Sequence, residues 1–106
     1  MTPSEAESPP MICLAVTYVV KPGTEAETSE RLKTLTEATR KEPGCRFYQT
    51  HQSPTDSRKF FLYEQYDNEA ALEAHRAAPY FVEHVVGGLW VAAESRAPEF
   101  YEPLTA

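Results

Sequence analysis

Proline cannot sit inside a helix or a central strand, because it lacks the N–H such an element donates and fixes its own φ. This chain of 106 residues carries nine prolines, and they cut it into short periodic pieces. Pro3, Pro9 and Pro10 lie among Ser, Thr and Glu with too little apolar content to fold. Residues 1–10 are therefore expected to be a disordered tail, with a single domain over 11–106. Pro22, Pro43, Pro54, Pro79, Pro98 and Pro103 fall between or at the ends of the periodic segments and are expected to mark element boundaries.

Between these breaks the periods are readable. Met11 to Val20 is β-branched and aromatic, with Ile12, Leu14, Val16, Tyr18 and Val20 on one face, and reads as a central strand. After the Lys21-Pro22-Gly23 turn, Thr24 and Glu27 have capping-box spacing, and Thr28, Leu32, Leu35 and Thr39 make a helical stripe. A helix from about Glu25 to Glu42 follows, with Arg40 and Lys41 suited to its negative end and Pro43-Gly44 stopping it. Cys45 to Gln52 and Lys59 to Tyr66 alternate and should pair antiparallel across the loop between them. Asp67 or Asn68 caps a second helix through Ala77, Pro79 starts a short third one that Gly87-Gly88 should end, and a last strand lies near Glu99 to Leu104.

The order β-α-β-β-α-β is that of the ferredoxin-like α+β sandwich, an antiparallel sheet with helices on one face. With the strand order 4-1-3-2 usual for that topology, the first two strands are not neighbours, so Cys13 and Cys45 should not form a disulfide; both read as small buried apolar residues. The opposite sheet face has no cover within the chain, and there Phe61 and Tyr63 would make a large exposed apolar patch. Mutual burial of two such faces predicts a homodimer.

Several function classes fall to composition. Sixteen acidic against ten dispersed basic residues give a charge of −6, which would repel a phosphate backbone, so nucleic acid is not an expected partner. The longest apolar run, ten residues from Met11 to Val20, is too short to cross a bilayer and lacks the flanks of a signal peptide. No membrane association and a cytoplasmic location are expected. Strand three has no Gly among its basic and aromatic residues, unlike the RNA-recognition module of the same topology. Phosphate loops, nucleophile elbows and Cys-based or paired-His metal spacings are also missing, so no metal is expected.

Period two puts Phe60, Leu62, Glu64 and Tyr66 on one face of strand three, with a carboxylate among apolar neighbours. On the next helix Ala71, Leu72, His75 and Ala78 share the sheet-facing side. Glu64 and His75 are thus aimed into the same layer, either as a satisfied core hydrogen bond or as an oriented acid/base pair in which Glu64 fixes the His75 tautomer. Tyr48, Tyr18 and Tyr66 could line that space, and Phe81 reads as core or pocket wall. His51 is expected to be solvated, His84 to lie on the helix surface, and Trp90 either to close the pocket or to join the dimer interface.

The run Phe61-Leu62-Tyr63-Glu64-Gln65-Tyr66-Asp67, followed by Ala70, Ala71, Leu72, His75 and Pro79-Tyr80-Phe81, resembles the signature of the antibiotic biosynthesis monooxygenase family, including its quinol monooxygenases. Glu42-Pro43-Gly44-Cys45 with Tyr48 is similar to the family's second-strand motif, and Lys21-Pro22-Gly23 to its first turn. The resemblance covers Met11 to Leu104. It implies a dimeric α/β barrel of ferredoxin-like protomers. It also implies oxidation of a small quinol or polyphenol by O₂ without metal or flavin, with Glu64 and His75 as the family's acid and histidine and Tyr48 as its second-strand tyrosine, here expected to contact the substrate. Isomerases, haem-degrading enzymes and non-catalytic ligand-binding dimers share the fold. Strand one lacks the Asn of the haem-degrading members, and His75 stands about where they place a Trp.

Overall fold

The computed structural model describes residues 11–105, so the tail expected at 1–10 lies outside the described residues. Among the described residues four strands and three helices follow in the order β1 (Ile12–Val20), α1 (Glu25–Thr39), β2 (Cys45–Gln52), β3 (Lys59–Tyr66), α2 (Glu69–Ala77), a continuous helix α3 over 79–92, and β4 (Ala93–Tyr101). The strands form one open antiparallel sheet in the order β2-β3-β1-β4, the arrangement expected of a ferredoxin-like α+β protomer. β1 and β2 are not neighbours, and Cys13 and Cys45 are free thiols.

Alternation decides which side of the sheet the helices cover. Leu14, Val16, Tyr18 and Val20 of β1, Tyr48 of β2 and Phe60, Leu62, Glu64 and Tyr66 of β3 are all buried. Against them pack Leu32 and Leu35 of α1, Leu72 and His75 of α2, and Val85 and Leu89 of α3. On the other face no helix among the described residues lies over Phe47 and Phe61, and both are exposed.

Four local expectations change. Thr24 does not close a capping box: its hydroxyl donates back to the Lys21 carbonyl at 2.7 Å, in a turn that needs glycine because Gly23 has φ +91°. Glu27 pairs instead with Arg31 one turn on, at 3.0 Å. The helix stops at Thr39 rather than Glu42, and two tighter turns carry the chain on, Lys41 N–H to Ala38 and Glu42 N–H to Thr39. Arg40 serves β2 rather than the helix end, since its guanidinium reaches the Tyr48 carbonyl at 2.9 Å and Gln49 Oε1 at 2.8 Å.

The larger change is α3. Gly87-Gly88 does not end it; the helix widens to π geometry over Val82–Leu89 and closes with Trp90–Ala92, the Trp90 N–H reaching the Val85 carbonyl five residues back. Gly88 is needed for close approach, because a Cβ there would stand 2.6 Å from Cδ of Arg31 on α1. With the helix carried to Ala92, β4 starts at Ala93 rather than near Glu99 and contains Pro98. Pro98 is tolerated because β4 is an edge strand, where part of the backbone has no ladder to join. Asn68 is the cap of α2, accepting from the Ala71 N–H at 2.9 Å.

Candidate active site

The register aims three strands at one point. Glu64 of β3 stands opposite Leu14 of β1 and Tyr48 of β2, all on the helix-covered face. Helix α2, docked by Leu72, lowers His75 onto the same spot and leaves it only 2% exposed. Between sheet and helices remains a cavity of about 250 Å³, walled by Leu14, Val16, Tyr18, Tyr48, Leu62, Glu64, His75, Phe81 and Trp90 among others. Ligand pockets commonly run from about 300 to 1,000 Å³, so this one admits a compact ligand.

The pairing within it differs from the expected one. His75 Nδ1 bonds Glu42 Oε2 at 2.9 Å, whereas its Nε2 is 3.9 Å from Glu64 Oε1, beyond hydrogen-bonding range. Glu42, not Glu64, therefore orients the imidazole. The reason is topological: Glu42 sits in the turn between α1 and β2, which the Asp67 N–H to Gly44 carbonyl bond ties beside the start of α2. Tyr80 donates its hydroxyl to the same Oε2 of Glu42. A carboxylate only accepts, so both bonds run into Glu42, the proton shared with it sits on Nδ1, and Nε2 is left as an acceptor in the cavity wall.

Glu64 has a separate holder. Tyr66 donates its hydroxyl to Glu64 Oε1 at 2.6 Å. Burial outweighs that bond and pushes the Glu64 carboxyl up to about 7. Burial also lowers the His75 pKa from its ordinary 6.5, opposed by the hydrogen bond and charge of Glu42. Burial, helped by the Glu64 charge, raises the Tyr48 and Tyr66 phenols well above their usual range, so both are hydrogen-bonding groups rather than bases. The site offers, near neutral pH, an uncharged imidazole with an open nitrogen beside a carboxylic acid that readily keeps its proton.

Aromatic rings complete the enclosure. Tyr66, Tyr48 and Phe81 pack around His75 with centroids at 5.2, 5.8 and 5.0 Å. Trp90 meets Phe81 edge-on at 6.0 Å and lines the cavity, one of the two places expected for it. Tyr18 lines it too, its hydroxyl accepting from Trp90 Nε1 at 3.1 Å and from Arg96 Nε at 3.3 Å. Tyr66 does not reach the cavity; it is fully buried behind Glu64. His51 is exposed on the bare sheet face, bonded to the Phe61 carbonyl at 2.9 Å. His84 is not a free surface residue: it lies partly buried between helices, with Nδ1 3.3 Å from Arg31.

Glu42, Tyr80, Arg76 and Arg96 belong to the site without a periodic signal in the sequence. Glu42 lies past the last helical residue, in a turn where no period applies. Arg76 and Arg96 are exposed cations that only the tertiary fold brings to one opening.

The chain is similar to a known family and to several known proteins. The sequence profile described as antibiotic biosynthesis monooxygenase matches residues 11–86. An uncharacterized protein of Synechocystis sp. is 36% identical over 74 residues, 70% of this chain and 50% of its own, so the chain spans about half the length of that relative. A crystal structure from Bacteroides thetaiotaomicron, of a conserved protein of unknown function given as "Possible Oxidoreductase", shares 31% identity at a TM-score of 0.80, covering 89% of this chain and 98% of its own. A Mycobacterium tuberculosis protein named "Putative monooxygenase Rv0793" is 26% identical over 69% of this chain and 71% of its own.

Proposed function

The chain belongs to the antibiotic biosynthesis monooxygenase family, and from that premise we propose that it is a cofactor-independent monooxygenase oxidising a small quinol or polyphenol with O₂ in the cytoplasm. The observation that carries the reading is the His75 imidazole, held at Nδ1 by Glu42 and open at Nε2 in the wall of an aromatic-lined cavity. Nε2 takes the phenol proton. The electron-rich phenolate gives electrons to O₂ and forms a C–O bond, leaving a peroxide on the ring carbon. Loss of the ring hydrogen from that carbon and cleavage of the O–O bond release one water and leave a quinone, so that one O₂ supplies one oxygen to product and one to water. His75 returns its proton to the peroxide, Glu64, which holds its proton to about pH 7, gives the second proton to the departing oxygen, and the ring proton reloads Glu64. Tyr48 contacts the substrate, and the apolar walls exclude water.

The reading includes a homodimer formed through the bare sheet face, two ferredoxin-like protomers completing an α/β barrel. Oxygen uptake with menadiol tests the activity. Uptake above the spontaneous rate, lost in His75→Ala, is expected; uptake no faster than spontaneous, or unchanged in the variant, would overturn it.

A further inference from the structure

The proposed chemistry uses the inner wall of the cavity and leaves its rim unexplained. Glu64, His75, Leu14, Val16 and Leu62 are buried, whereas Arg76 of α2, Arg96 of β4 and Trp90 of α3 line the same cavity and are exposed. The space thus runs from an apolar acid/base floor to a rim with two guanidinium groups. Among the described residues neither arginine forms an ion pair. Glu64 does not neutralise them: both guanidiniums act to lower its pKa, yet burial still holds that carboxyl at about 7.

Arg96 is also held in place. Its Nε donates to the Tyr18 hydroxyl at 3.3 Å, and its guanidinium carbon lies 5.0 Å from the centre of the Trp90 ring, which itself donates to Tyr18 at 3.1 Å. These contacts use Nε and one face of the group. Its two terminal nitrogens make no hydrogen bond among the described residues, and they form the fork that matches a planar carboxylate.

We propose that the cavity selects a flat aromatic ligand bearing a carboxylate, its ring between Phe81, Trp90 and Tyr48, its hydroxyl toward His75 and its carboxylate on Arg96, with Arg76 adding positive charge at the rim. This rests on the phenolic reading of the same site and narrows it from any small quinol to an anionic one. The carboxylate fixes which end of the ligand enters first, so that the hydroxyl and not the anion meets Nε2.

The test is calorimetric binding under nitrogen at pH 6.5, comparing 4-hydroxy-1-naphthoate with 1-naphthol. The naphthoate is expected to bind roughly 10-fold more tightly or better, as a charge-assisted bidentate pair gives. Arg96→Gln should remove that preference by weakening the naphthoate far more than 1-naphthol, Arg76→Gln should reduce it in part, and Lys33→Gln, an exposed lysine paired with Glu30, should leave it unchanged. Equal binding of the two probes, no binding of either, or equal weakening of both by Arg96→Gln would overturn the proposal. Because no oxygen is present, a failed menadiol assay with the binding preference intact would sink the oxidation alone, and oxidation without the preference would sink this inference alone.

Discussion

Nδ1 of His75 and Oε2 of Glu42 lie 2.9 Å apart, so a residue on α2 is oriented by one in the turn before β2, 33 positions earlier. The bond fixes the tautomer and supports a positive charge on the ring during proton transfer, the task of the carboxylate in any acid–histidine pair. Glu42→Gln keeps an acceptor but removes the charge. Since Glu42 raises the His75 pKa against burial, the variant's imidazole becomes a weaker base. The acid limb of kcat/KM, which reports the protonation of His75, should move to lower pH, and kcat should fall roughly 10-fold or more with little change in KM. A limb that stays in place would remove Glu42 from the proton-transfer machinery.

Glu64 makes stability depend on pH in the direction opposite to a carboxylate whose pKa an ion pair lowers. Its pKa is about 7 in the fold against its ordinary 4.5, so the folded state binds more protons between those limits. The stabilisation from its protonated form is fully present below 4.5 and is lost as pH rises through about 7, an upper limit of roughly 3 kcal/mol. His75 runs the other way: with its pKa lowered, its contribution is present above 6.5 and is lost as pH falls below that value. Glu64→Gln removes the first effect and keeps the second. The Tm of the variant minus that of the native protein should rise from pH 4.5 to pH 8; a flat difference would mean that Glu64 ionises without penalty.

Gly44 holds the Glu42 turn against α2. A Cβ on Gly44 would collide with the Cβ of Ala71 and come within 3.4 Å of its Cα, so backbone and not a flexible side chain would have to yield. Gly44→Ala is expected to cost about 1–3 kcal/mol, the range for forced overpacking, and to disturb the His75–Glu42 bond. Gly88→Ala meets side-chain atoms of Arg31 rather than backbone and should cost less. Denaturant midpoints of the two variants give the comparison, and equal losses would contradict it.

The strand and helix order was legible because each element obeys one period and the prolines separate them. Glu64 and His75 could be placed from that alternation alone. The partner of His75 could not, since Glu42 lies where the helix unwinds into two tight turns and the pairing is set by how the turn docks on α2. The extent of α3 was hidden for a related reason. Gly87-Gly88 looks like a helix stop locally, but Gly88 is selected by the passage of Arg31, a contact from another helix. Pro98 misled in the same way, because a proline break and a proline on an edge strand read alike until the strand order is known.

The bare face of the sheet leads to the last expectation. Phe47 and Phe61 are 45% and 39% exposed, and Phe47 packs on Tyr63 with ring centroids 5.6 Å apart, so neighbouring strands share one apolar surface. These positions alternate with the buried core positions and lie on the side away from the cavity. Substituting them should leave the protomer core intact, while a charge there would have to be desolvated if two faces meet. Sedimentation at micromolar concentration should therefore give twice the 11.9 kDa protomer mass for the native protein and the protomer mass for Phe47→Glu/Phe61→Glu, with the circular dichroism of the fold preserved. A native protein at the protomer mass would show that this face does not join two copies, because a face built for mutual burial should hold them together at that concentration.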